Sequence, residues 1–234
     1  AAASDPQAIY IESFDQNVTT DGSTFTLQND VGDTDSAFVR MLTGTRKTSA
    51  GPVGVTSGTA PNVGTVGLRL TDTATVTVER VDSTEVKVMG EVWRYEGPSG
   101  GIHEFIVRDR VAVTLSGNFT PQVISGVSDR DKVVPFITGY TVDDSSTNGW
   151  NDATVAAHIN DSGDLIVSRN NSGTTATVYV SIVEFTGSAW TVCHGYSGNH
   201  DTAAETVTLN TDSDGQGGST CDVGDWSTAT IIEA

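Results

Sequence analysis

The sequence predicts an all-β protein: two tandem, similar antiparallel β-sandwich units followed by a C-terminal partial third unit. Three observations predict it. Apolar residues recur with a period of two, the chain repeats itself, and turn-forming clusters punctuate it at short intervals. The period is plainest in EVKVMGEV (Glu85 to Val92), where Val86, Val88, Gly90 and Val92 share one face. The matching segment places Ala176, Val178, Val180 and Ile182 on the same parity. That is the pattern of a half-buried antiparallel strand. TVTVERV (Thr75 to Val81) and LIVSR (Leu165 to Arg169) alternate in the same way, and turn clusters such as NNSG (Asn170 to Gly173) separate the runs. Thr, Val and Ser enrichment suits a pleated surface, and no stretch carries a helical period. About six strands per unit, spaced by roughly 8–12 residues, point to sandwiches.

The repeat organises these elements. TVGLRLTDTATVTVERVDSTEVKVMGEVWRYEG (Thr65 to Gly97) returns as TVAAHINDSGDLIVSRNNSGTTATVYVSIVEFTG (Thr154 to Gly187). Thr154 follows Thr65 by 89 residues and Gly187 follows Gly97 by 90, so one residue is inserted. Val76 matches Leu165, Val78 matches Val167, Val92 matches Ile182 and Tyr95 matches Phe185. Upstream, AIYIES (Ala8 to Ser13) matches EFIVRD (Glu104 to Asp109), and AFVRMLTG (Ala37 to Gly44) matches KVVPFITG (Lys132 to Gly139) at an offset of 95. An acidic turn precedes each of the latter, VGDTD (Val31 to Asp35) and VSDRD (Val127 to Asp131), 96 residues apart. It recurs 96 residues further on as VGDWS (Val223 to Ser227), and WTVCHG (Trp190 to Gly195) is the third counterpart of the first strand. Residues 1–98 and 99–188 therefore form the two units, and 189–234 the partial third. Half a sandwich leaves an edge and an apolar face uncovered. The tail packs on the second unit, is completed by a neighbouring subunit, or belongs to a longer array.

Composition excludes several functions. Asp+Glu number 30 against Lys+Arg 12, a net charge of −18, with only Lys47, Lys87 and Lys132 as lysines. Such a surface repels phosphates, so nucleic acid is not an expected partner. No run of 18 apolar residues is present, so no membrane insertion is expected. The opening AAASDP resembles a mature terminus after removal of a leader. Low Lys with abundant Asp, Thr and Gly suits an extracellular or saline setting; an ordinary acidic cytosolic protein is the alternative.

Candidate chemistry is sparse. Asp72 with Arg80 and Asp161 with Arg169 recur in both units, each Arg on the parity of the inward Val positions. The reading is a structural ion pair in each unit, since an Arg–carboxylate contact fixes strand register; a ligand-binding Arg is the alternative. Cys193 and Cys221 fall in the partial unit, where one disulfide would staple the least self-sufficient segment; two buried free thiols are the alternative. Asn210, Asp212 and Asp214 in NTDSDGQG place oxygen side chains at alternating positions before a Gly, a candidate Ca2+ turn lacking the Glu of an EF-hand; a flexible acidic turn is the alternative. Asp33, Asp35, Asp129 and Asp131 recur in the acidic turns and read first as turn geometry. Asp143, Asp144 and Trp150 lie in an irregular stretch, Tyr140 to Asn151, as a candidate ion or sugar contact set; Thr45 to Asn62 is its equivalent in the first unit. There is no GxSxG, P-loop or HExxH, and the four histidines are scattered, so the chain reads as a non-enzymatic protein without an obligatory cofactor.

The segment TVAAHINDSGDLIVSR…ATVYVSIVEF resembles the tandem β modules of virion-surface fibre and decoration proteins of tailed phages. Its strand pattern is also similar to H-type lectin domains, six-stranded sandwiches that assemble as trimers and bind sugars. The first resemblance implies a structural subunit whose partners are copies of itself or other surface proteins. The second implies an adhesin or carbohydrate-binding module with glycan partners, and transfers no sugar-contact residue.

Overall fold

The computed structural model describes residues 9–46, 60–146, 155–160, 162–169 and 173–192. Its first six strands are β1 (Ile9–Val18), β2 (Ser23–Thr26), β3 (Ala37–Arg46), β4 (Gly67–Asp72), β5 (Thr75–Glu79) and β6 (Val86–Tyr95). The next six are β7 (Ile106–Leu115), β8 (Phe119–Gln122), β9 (Val133–Val142), β10 (Val155–Ile159), β11 (Leu165–Arg169) and β12 (Ala176–Glu184). The fold is all-β and antiparallel. Among the described residues helix is confined to single turns at Thr34–Ser36, Pro61–Gly64 and Arg130–Lys132.

The two sets of six share one strand order. In the first, β1-β6-β3 form one sheet and β2-β5-β4 lie together in another. In the second, β7-β12-β9 and β8-β11-β10 repeat that order strand for strand. Each pair of layers encloses its own core. Val18, Val39, Leu68, Val78 and Val88 fill the first, and Leu115, Val142, Leu165, Val178 and Ile182 the second. All come from the period-two positions, because alternation turns every second side chain into the gap between layers.

Register corrects the sequence match at one strand. Ala37 lies opposite Arg94, and Val133 opposite Glu184. Arg94 and Glu184 are equivalent, so Ala37 corresponds to Val133, not to Lys132. The offset is 96, the same as for the preceding turns. Both β3 and β9 carry irregular pairing, at Met41/Thr43 and opposite Tyr179/Val180. A one-residue slip is hard to see in strands whose faces are both apolar. Strand β9 also runs to Val142, so Tyr140–Val142 belong to a strand where an irregular stretch was expected.

The two sets join by sheet continuation. Strands β2-β5-β4-β9-β12-β7 form one six-stranded sheet, in which Gly67 of β4 pairs with Gly139 of β9. Tyr140 N donates to the Val66 carbonyl at 2.9 Å, Val142 N to Thr65 Oγ1 at 3.1 Å, and Thr138 Oγ1 to the Leu68 carbonyl at 2.7 Å. Glycine is required on both sides. A Cβ on Gly67 would enter the Tyr179 ring, and one on Gly139, at φ +129, would sit 2.3 Å from the Val66 oxygen. Beside this seam, Phe38 of β3 stacks on Phe136 at 4.6 Å and meets Phe105 edge-on at 5.2 Å, within a cluster that includes Tyr95, Val183 and Phe185.

This contact revises the expectation of a half-buried β12. Strand β6 alternates buried and half-buried residues up to Arg94, whereas β12 is buried on both faces from Val178 to Glu184. Tyr179 lies over Gly67, and Val183 packs in the Phe38 cluster, so the first set covers the outer face of the second.

Substituting Gly139 with Val should destabilise the protein by about 2–4 kcal/mol, because the clash is with backbone and adds to left-handed strain. Gly126 also has positive φ, +78, but nothing within 4 Å of its ideal Cβ. Gly126→Ala should therefore cost only about 1–2 kcal/mol. Urea denaturation of the two variants measures the difference.

Candidate functional site

The most unusual side chains of the interior are its charges. Arg80 and Arg169 follow the inward Val positions and are both buried. The structure does not bring Arg80 to Asp72. The Arg80 guanidinium donates to the Val18 carbonyl at 2.9 Å and to the Val63 carbonyl at 3.3 Å. Asp72 is exposed and closes its own turn, accepting from Ala74 N at 2.8 Å. Arg169 acts like Arg80: it donates to the carbonyls of Leu115 and Gly117, each at 3.1 Å, and to Thr174 O. Asp161 lies outside the described residues. Val18 and Leu115 are equivalent, being the residues opposite Val86 and Ala176. The repeated arginine is thus a carbonyl cap on the end of the first strand of each set. The ion-pair expectation fails for Asp72 because a planar fork of donors reaches several strand-end carbonyls at once, while an exposed Asp gains more from an Asx turn. Burial lowers the Arg80 guanidinium from its ordinary value, with Asp82 and Asp21 acting in the opposite direction. It remains a cation, as guanidinium does throughout the accessible pH range.

The acidic turns are turn geometry. Asp33 Oδ1 accepts from Asp35 N at 2.9 Å, and Asp129 Oδ1 from Asp131 N at 3.1 Å. Each caps one of the single helical turns at 34–36 and 130–132. Asp144 likewise accepts from Ser146 N at 2.7 Å, while its carbonyl receives Asn62 N at 3.1 Å. Asp143 is exposed beside it. Trp150, Cys193, Cys221, Asn210, Asp212 and Asp214 lie outside the described residues. Among the described residues, no group of three or more His, Cys, Asp or Glu side chains is placed to hold a metal ion.

A second buried charge escaped the sequence reading. Glu184 has 0% of its surface exposed and accepts from Arg108 Nε at 2.5 Å, from Ser128 Oγ at 2.5 Å and from Asp129 N at 2.8 Å. Burial pushes its carboxyl up, but the donors Ser128, Arg108 and the backbone N–H groups of Ser128 and Asp129 outweigh burial and hold it below the ordinary range. In the first set the equivalent residue is Arg94, which donates to the Asp30 carbonyl at 2.6 Å and lies 4.6 Å over the Tyr10 ring. The same position thus ties the acidic turn to the sheet with either sign of charge. The signal was present as Arg94 aligned with Glu184, a charge reversal in an apolar strand. Arg110, half-buried on β7, donates to the Ala37 carbonyl at 2.7 Å between the two sets.

These charges serve strand ends, turns and the contact between the sets, although Arg80 Nε, Arg94 Nε, Arg110 Nε and Arg169 Nη1 are buried without a hydrogen-bond partner. The family models, curated proteins and solved structures compared with the chain match it nowhere. The residues therefore speak alone. Outside the core, three edge strands expose large apolar side chains among the described residues: β1 with Tyr10 and Ile11 at 37% and 44%, β3 with Leu42 at 42%, and β8 with Phe119 at 66%, followed by Val123 at 74%. No helix among the described residues is long and apolar enough to cross a membrane.

Arg169→Met should destabilise the protein by about 2–4 kcal/mol, since several buried carbonyls lose their donor, and Asp72→Asn should change stability by less than about 0.5 kcal/mol. An ion pair would make the second loss comparable to the first; chemical denaturation of each decides. Glu184 gives a pH test. Its folded pKa is lowered, so its contribution is fully present above the ordinary carboxyl value of about 4.3 and is lost as pH falls through the lower folded value. Glu184→Gln should accordingly be less stable than the wild type at pH 7, with the gap closing at acid pH in paired denaturation series.

Proposed function

We propose that the protein is a non-enzymatic structural subunit working outside the cell, a virion fibre or decoration subunit or a filament subunit, that self-associates through sandwich edges. The observation that carries this reading is the β4–β9 seam. Within one chain, two modules already join by adding strand to strand and sealing the seam with aromatic side chains. Exposed apolar residues on the edge strand β1 fit a further contact of the same kind. The repetition supports it too, because duplicated modules whose buried charges all serve strand ends and turns are built for rigidity. A net charge of −18 keeps such assemblies soluble.

The carbohydrate-binding alternative has one observation in its favour. Trp93 is half-buried on the outer face of β6, with its Nε1 donating to Glu91 at 2.9 Å. Yet the equivalent residue in the second set is Val183, fully buried under the first. A duplicated sugar site would keep both copies open.

Light scattering coupled to size exclusion tests the assembly reading. The wild type should run as a multiple of its 24.4 kDa chain, and Ile11→Asp should reduce it to the monomer. A wild-type monomer that binds sugars on a glycan array would overturn the assembly reading in favour of the alternative.

A further inference from the structure

The joint between the two sets is lopsided. Tyr179, Ser181 and Val183 of β12 face the first set and are buried, whereas the equivalent Met89, Glu91 and Trp93 of β6 are half-buried. The second set thus commits the outer face of its central strand to the joint. The first commits a corner: the Gly67 end of β4, the start of β3 and the turn at Thr34–Ser36. Of the seven buried residues in the aromatic cluster, five belong to the second set, and the first supplies Phe38 and Tyr95. The sets also differ in what they keep to themselves. In the first, the Phe14 and Phe25 rings lie 4.0 Å apart against the core of Val18, Val39, Leu68, Val78 and Val88. Register puts Val111 and Gln122 at the equivalent places of the second set, and Val180 where Gly90 makes room for the Phe14 ring. The buried aromatics of the second set, Phe105, Phe136, Tyr179 and Phe185, lie at the joint and outside its core around Leu165, Val178 and Ile182.

We infer that the second set is a conditional unit: it opens as a whole while the first set stays folded, and it does not stay folded once the first set is open. The free energy of the joint is lost whichever set opens, so the joint by itself gives no direction. Direction comes from what each set retains alone. The first retains a core closed by its own two layers and by a pair of rings. The second retains a core of mostly aliphatic side chains, with its buried rings placed at the joint. Tyr140 N, Val142 N and the Arg110 guanidinium lose their acceptors in the same event. A sandwich of this size has little stability in reserve, so the burial of four aromatic side chains separates a set that stands alone from one that does not. The order also suits synthesis, in which the first set is complete before β7 is made.

Native-state hydrogen exchange of the full chain, followed through low concentrations of urea, tests the inference. The slowest amides of β12 should exchange about tenfold or more faster than those of β6, through an opening that depends less steeply on urea than global unfolding does. Variants then give the direction. Opening of the second set is contained in both events, so Leu165→Ala should speed β12 and β6 alike, by about tenfold or more. Val78→Ala should speed β6 and leave β12 as it is, because the first set is folded before and after β12 opens. Phe38→Ala, in the first set but at the joint, should speed both. Equal wild-type rates, with β6 and β12 responding together to every variant, would mean one cooperative unit and overturn the inference. So would a β12 that outlasts β6, or a Val78→Ala that speeds β12. The wild-type order should persist in Ile11→Asp, which keeps the result apart from the assembly reading. Loss of the order in that variant would assign the protection of β6 to a neighbouring copy and overturn the inference as well.

Discussion

The contact on which everything else depends is the seam between β4 and β9. A sandwich of about ninety residues buries a smaller fraction of its surface than a larger domain does, and two such units gain by sharing a boundary. Here the boundary is made by backbone. Gly67 and Gly139 let two strands approach where any Cβ would strike a ring or a carbonyl oxygen. Tyr179 fills the space that the missing side chains leave, and Phe38 closes the seam from the other side. The second set can then afford a central strand buried on both faces, which a free-standing sandwich of this size would have to leave half wet.

Charge follows the same economy. The interior holds Arg80, Arg94, Arg169 and Glu184, none of them gathered into a reactive cluster. Each terminates backbone that the ladders cannot satisfy: strand ends for Arg80 and Arg169, the acidic turns for Arg94 and Glu184. A buried guanidinium surrounded by carbonyls meets its desolvation cost through several bonds rather than through one counter-ion. Among the described residues Glu184 is the one buried carboxylate.

Much of the fold was legible in the residues. The alternation at Val76, Val78, Val86, Val88 and Val92 gave the inward faces, and the spacing of the acidic turns gave the offset of β3 and β9 that the match of those strands missed by one residue. What escaped was whatever depends on a second element. Sequence parity places Arg80 inside but does not say which of several oxygens its fork will meet. Asp72 stood in the right strand pair and still turned to its own backbone, because the bond to Ala74 N needs no neighbour. Glu184 was hidden because it continues the inward parity of Val178, Val180 and Ile182, and its partners Arg108, Ser128 and Asp129 come from other elements of the second set.

Duplication itself becomes evidence about surfaces. Two copies that began alike and kept the same strand order have been dressed differently wherever their surroundings differ. Residues facing a core remain apolar in both: Val76 and Leu165, Val92 and Ile182. Where one copy is covered and the other open, the pairs diverge, as Trp93 and Glu91 do from the buried Val183 and Ser181. The change from Arg69, Thr77 and Thr24 to His158, Ile166 and Pro121 is a divergence of the same kind, on an outward row where His158 and Ile166 are half-buried and Pro121 is exposed. Inward positions are held apolar by the core they share, while outward ones are free to follow their own surroundings.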